Sequence, residues 1–141
     1  MYKNFLILLI AITLSACGSK TEAIQEHFNK LTLNDVLTAL NDSGIQNVER
    51  TKSQHVYDIQ RESAEQHLYK LEPGKLTVYV FSNVVQRREV QRDPFPAAEA
   101  TPPNGSYGMG NILVFYYDGD NIMAQKLLRA FEPLGVEGEL N

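Results

Sequence analysis

The chain has no tryptophan and one cysteine, Cys17, among 141 residues. A single cysteine rules out an internal disulfide and a structural zinc site built on thiolates. Positive charge is also scarce. Lys and Arg number 13 against 17 Asp and Glu, for a formal net charge of -4 and a pI near 5.3. The densest basic cluster, Arg87, Arg88 and Arg92, is interrupted by Glu89. Phosphate binding needs a contiguous positive face, so no nucleic-acid partner is expected. There is no internal repeat, and the length fits one domain. At 43% hydrophobic and 21% charged residues, the chain is too apolar to be disordered throughout.

Long apolar runs are missing as well. Phe5 to Leu14 is uncharged and is interrupted only by Thr13. At a rise of ~1.5 Å per residue it spans roughly 15 Å, about half a bilayer core. With Lys3 before it and small residues after it, the run reads as a signal-peptide apolar region and not as a membrane span. Leu14-Ser15-Ala16-Cys17 follows: aliphatic, small, small, cysteine.

That tetrapeptide resembles the lipobox of bacterial lipoproteins, a likeness confined to about the first 20 residues. The resemblance implies a diacylglyceryl thioether on Cys17 and cleavage by signal peptidase II between Ala16 and Cys17. It also implies that the new amino group can be acylated. Two chains anchor where one is marginal, since each buried methylene contributes about 0.8 kcal/mol. Residues 1–16 would be the signal peptide, 17–31 a lipidated tether and 32–136 a single folded domain. Loss of Lys3 would take the formal charge from -4 to -5. Gly18 and Ser19 follow the cysteine, so the Asp that retains lipoproteins in a Gram-negative inner membrane is missing. The expected location is the outer face of a cell membrane, or an outer membrane in a Gram-negative cell. The alternatives are an ordinary secretory signal with a chance cysteine, or a buried thiol.

In the folded part, Leu33, Val36, Leu37 and Leu40 have the i, i+3, i+4, i+7 spacing of a buried helical stripe. Thr32 and Asp35 supply its start, and Gly44 its stop. Residues 47–51 and 56–59 read as possible strands. Pro73-Gly74 fits a type II turn between two runs rich in aromatic and β-branched residues, which predicts a hairpin. Ser82 can cap a helix over 83–92. Residues 93–110, rich in proline and glycine, read as a long exposed loop. Ile112–Tyr117 reads as a buried strand, and Asp120 can cap a last helix over about 121–132. The last residues read as frayed. The expected fold is α+β, a two-layer sandwich of about four strands with helices mainly on one face.

Little of this carries chemistry. His27, His55 and His67 are far apart and lack partners at metal-ligand spacing. Asp118-Gly119-Asp120-Asn121 resembles the start of a calcium loop, but Ile122 and Arg129 stand where further oxygen ligands are needed. Gly105, Gly108 and Gly110 do not precede a helix, so they are not a phosphate cradle. No cofactor, metal or catalytic residue is expected. Arg87, Arg88 and Arg92 read as a solvated helix face, with anionic head groups near the anchor as the alternative.

The central strands are apolar on both faces. Tyr79, Phe81, Phe115 and Tyr117 could therefore form an exposed aromatic interaction face. Otherwise the proline-rich loop or residues 46–60 cover them. The expected function is a lipid-anchored, non-catalytic binding or scaffolding domain at the cell envelope. An accessory subunit of a membrane assembly, such as a transporter or a spore-germination apparatus, is the alternative. An envelope enzyme is a third.

Overall fold

The computed structural model describes residues 30–53, 55–94 and 101–139. The expected signal peptide, the lipobox, His27 and nearly all of the tether lie outside the described residues. No helix among the described residues is long and apolar enough to cross a membrane.

The first element is α1, Leu33–Asp42. The Thr32 backbone N–H and hydroxyl both donate to the Asp35 carboxylate, at 2.7 and 2.8 Å, and the Asp35 N–H donates to the Thr32 carbonyl at 3.1 Å. Gly44 follows at φ 63, with Ile45 N–H donating back to Leu40 O. A three-residue strand β1, Val48–Arg50, comes next, and then a 3-10 turn over Val56–Asp58 where the spacing predicted a strand.

Strands β2, Ala64–Lys70, and β3, Lys75–Phe81, form the expected hairpin, paired from Lys70↔Lys75 to Ala64↔Phe81. The connection is not the type II turn that Pro73-Gly74 suggested. The Glu72–Pro73 peptide is cis, and Leu71 N–H donates to Gly74 O. Cis geometry is cheap before proline, which is how this turn differs from a trans Pro-Gly turn.

Helix α2, Val84–Arg92, is capped by the Asn83 side chain and not by Ser82. Asn83 Oδ1 accepts from Gln86 N–H at 3.0 Å. Strand β4, Gly105–Met109, corrects the long-loop reading of 93–110. Its Gly-Ser-Tyr-Gly-Met sequence looks like a turn, but it pairs with β5, Ile112–Tyr117, along its length. Helix α3, Asn121–Phe131, begins at Asp120, whose carboxylate accepts from Met123 N–H at 2.8 Å. A 3-10 turn over Glu132–Leu134 and a short strand β6, Glu137–Glu139, replace the expected frayed end.

The sheet is antiparallel and open, in the order β1-β2-β3-β5-β4-β6. It has six strands where about four were expected, the additional ones being β4 and the short β6. The class is α+β, compatible with the expected two-layer sandwich. On one face, α1 and α3 bury Leu76, Val78, Ile112, Val114 and Tyr116 together with their own Val36, Leu40, Leu127 and Phe131. Leu31 belongs to this core, so the folded body starts before residue 32. Cutting a fully buried side chain such as Leu40 to Ala costs on the order of 2–5 kcal/mol.

The opposite face carries Tyr79, Phe81, Leu113, Phe115 and Tyr117. Tyr57, from the 3-10 turn, inserts among them, and Val90 of α2 packs at their edge. The sheet is therefore covered on both sides by different means.

Candidate functional site

Under that second cover lies a buried polar cluster around Asp58, a residue the sequence reading did not single out. Asp58 is 1% exposed. Its side chain meets three strands. Thr77 Oγ1, on β3, donates to Asp58 Oδ1 at 2.7 Å. Tyr117, at the end of β5, donates its hydroxyl to the same oxygen. Arg50, on β1, reaches both carboxylate oxygens at 3.3 and 3.4 Å, and its Nη2 donates to the Tyr117 hydroxyl at 2.7 Å. Arg50 is itself positioned by its Nε, which donates to Tyr69 O at 3.2 Å. Ser53 Oγ donates to the Asp58 carbonyl.

Strand alternation explains the convergence. Arg50 pairs with Leu68 and Leu68 with Thr77, while Lys75 pairs with Tyr117. Arg50, Thr77 and Tyr117 therefore share the second face of the sheet. A carboxylate hidden from water needs charge and donors around it, and this register delivers both.

His55 roofs the cluster. Its ring stacks on Tyr117 at 4.5 Å and on Tyr57 at 5.1 Å between centroids. Its Nδ1 accepts from Tyr57 N–H. At the rim, Lys75 Nζ lies 2.7 Å from Asp118 Oδ2, and His55 Nε2 lies 4.0 Å from Asp118 Oδ1. Burial pushes the phenols up. Tyr57 is raised to about 12, and Tyr117 is raised further by burial and by the Asp58 carboxylate it donates to. A tyrosine held so firmly neutral is a hydrogen-bond donor and not a base.

Asp58, Thr77 and Tyr117 are each at most 2% exposed. The cluster ties Arg50 and Asp58 to β3 and β5. Its accessible members are His55, Lys75 and Asp118. No group of three His, Cys, Asp or Glu side chains suited to a metal ion occurs among the described residues.

The structure places the other expected residues as follows. Cys17, Leu14, Ser15 and Ala16 lie outside the described residues. Tyr79, Phe81, Phe115 and Tyr117 are together on one face, as the alternation predicts, but each is at most 2% exposed. The open aromatic face is thus corrected to a closed one. The cover comes from residues 55–58 and from α2, and Tyr57 donates its hydroxyl to the carbonyl of Thr101 beyond them. The Tyr79 hydroxyl lies 2.7 Å from the carbonyls of Tyr57 and Ile59, which share its one proton, and it accepts from Gln66 Nε2 at 3.1 Å.

Arg87 was read as part of a solvated helix face and is instead 1% exposed. Its Nε donates to Gly110 O at 2.9 Å, its Nη1 to Gln91 Oε1 and its Nη2 to Glu137 Oε2 at 3.0 Å. Gly108 makes this possible, because a Cβ there would overlap the Arg87 guanidinium and the Gln91 side chain. Asp118-Gly119-Asp120 forms a turn and a helix cap. His67 Nε2 sits 2.9 Å from Glu65 Oε1 on β2.

Nothing in the sequence marked Asp58, because Arg50, Thr77 and Tyr117 reach it from three different strands, β1, β3 and β5. No family model matches the chain, and neither the curated proteins nor the solved structures contain a match.

Proposed function

We propose that the protein is a bacterial lipoprotein whose small α+β domain acts without catalysis, as a binding or scaffolding unit at the cell envelope. The observation that carries this reading is Leu14-Ser15-Ala16-Cys17 directly after the uncharged run from Phe5. Each part has a chemical role. The apolar run enters the membrane, the small residues fit a protease cleft, and the thiol accepts the lipid. Residues 17–29 separate the anchor from the folded body and reach at most roughly 45 Å when extended. A domain on such a tether works on partners close to the bilayer.

The sealed carboxylate cluster supports a non-catalytic role. Catalytic acids and bases must touch their substrate, whereas Asp58 is 1% exposed and hydrogen-bonded to Thr77 and Tyr117. Service as a subunit of a larger membrane assembly is the same reading with a fixed partner.

The test is the intact mass of the protein from membranes of bacterial cells making the wild type and Cys17→Ala. A chain starting at Cys17 and carrying a diacylglyceryl group, absent from the variant, is the expected result. An unmodified chain, or one retaining residues 1–16, sinks the proposal.

A further inference from the structure

Arg87 is a permanent charge inside the protein, so it needs a carboxylate beside it. The chain supplies Glu137, from β6, at the outer edge of the sheet. The recognition goes beyond one ion pair. Arg88 Nη2 grips the same carboxylate at 2.9 and 3.2 Å, and Gln91 Nε2 donates to the Glu137 carbonyl at 3.2 Å. One face of α2 thus reads both the side chain and the backbone of a glutamate in extended conformation. The β4 edge reads the flanking backbone, through Ser106↔Glu139, Tyr107↔Gly138 and Gly108↔Glu137. Gly108, directly opposite Glu137, is the position that lets Arg87 and Gln91 cross β4.

The occupant is weaker than the site built for it. Strand β6 is three residues long, and its ladder stops at Gly108 while β4 continues to Met109. The Glu137 side chain is half exposed, whereas Arg87 is enclosed. Nothing in the clamp requires the carboxylate to come from this chain.

We propose that the β4 edge, with Arg87, Arg88 and Gln91, is a strand-addition site for an extended acidic segment of a partner protein, which β6 occupies in its absence. The charge of the clamp selects a glutamate opposite Gly108, and main-chain pairing with β4 supplies the remaining contacts. A longer partner strand pairs past Gly108, where β6 does not. The proposal is independent of the lipid anchor and stands or falls separately from it.

The experiment uses the full chain in detergent micelles, with backbone amides of β4 followed by NMR. The probe is a capped synthetic peptide of residues 134–141, L-G-V-E-G-E-L-N, which carries the sequence of β6 itself. A second peptide has glutamine at its first glutamate. The variant Glu137→Ala frees the clamp. Its amides at Ser106–Met109 are expected to shift on adding the acidic peptide. The wild type should bind about tenfold more weakly, because its own strand holds the edge. The glutamine peptide should lose about tenfold in affinity for the variant.

Arg88→Ala, an exposed change that leaves the buried Arg87 in place, guards against a variant that fails to fold. It too should weaken peptide binding, measured in the wild-type background at higher peptide concentration. Unchanged β4 amides in Glu137→Ala, or equal binding of the two peptides, overturn the proposal. So does concentration-dependent dimerisation in place of peptide binding, because the edge would then take a second copy's strand.

Discussion

The Tyr117 hydroxyl donates to the Asp58 carboxylate across 59 residues of sequence, and neither side chain reaches solvent. This contact joins the last position of β5 to the turn that covers the aromatic face. The Asp58→Ala variant removes the acceptor that Thr77, Tyr117 and Arg50 share. Its cost should be about 3 kcal/mol, at the lower end for a broken buried pair because Arg50 keeps some contact with water. Tyr117→Phe keeps the charge pair and loses a hydroxyl, so it should cost about 1–2 kcal/mol. Urea unfolding followed by circular dichroism gives both values. Equal losses would mean that the carboxylate is no more than another hydrogen-bond acceptor.

Alkaline pH should unfold the protein cooperatively. Burial raises Tyr57, Tyr69, Tyr79, Tyr107, Tyr116 and Tyr117 above the ordinary phenol value of 10.0. In the unfolded chain they ionise near 10, while the native state keeps its protons to higher pH. The unfolded state therefore binds fewer protons over that interval, and stability falls as pH rises. Stability from these groups is complete below pH 10 and declines from there towards about 12, where Tyr57 titrates in the native state. Phenolate absorbance and circular dichroism should change together. Gradual phenolate formation with native dichroism would mean that the tyrosines are open to solvent.

At the acid end, the two arginines hold Glu137 below the usual carboxylate range, Arg88 contributing most. A depressed pKa gives stability that is present above the unfolded value of 4.5 and lost as pH falls through the native one. Hydrogen exchange at Ser106–Gly108 should accelerate below about pH 4.5, before the central strands open. Simultaneous loss of protection at β4 and β3 would remove the distinction.

Gly108→Ala tests the close approach of α2 to the sheet. A methyl group there meets the Arg87 guanidinium and Gln91, neither of which can leave without breaking its contacts with Glu137. The expected loss is about 1–3 kcal/mol, with chemical-shift changes centred on α2. Gly44→Ala is the comparison, since nothing lies within 4 Å and only its φ of 63 opposes a side chain. Its cost should be about 1 kcal/mol, confined to the end of α1. Loss without any response in α2 would show that the helix adjusts.

The legible parts of the fold were those whose instructions are local. Leu33, Val36, Leu37 and Leu40 mark one helix by spacing alone, and Thr32 with Asp35 marks its start. The alternation of Leu76, Val78 and Val80 with Thr77, Tyr79 and Phe81 assigns the two faces of β3 correctly. Strand β4 was hidden because its glycines serve packing, at Gly105 beside the Tyr107 ring and at Gly108 beneath Arg87. A signal for it existed in Gly110-Asn111, which turns directly into the apolar run of β5 and sits where a two-residue hairpin connection belongs. The Asp58 cluster had no such signal. Its partners on β3 and β5 lie 19 and 59 residues away, and only the register of the strands between them brings them together. Arg87 shows the same limit, since a charged side chain on a short helix reads as solvated until its carboxylate arrives from 50 residues on.

Asn111, in the β4–β5 turn, donates through Nδ2 to Leu31 O at 3.1 Å and to Phe81 O at 3.0 Å. Leu31 stands at the start of the folded body, and Phe81 ends a central strand. One turn side chain thus fastens the entry of the chain to the end of β3, so a change at Asn111 is felt at both places.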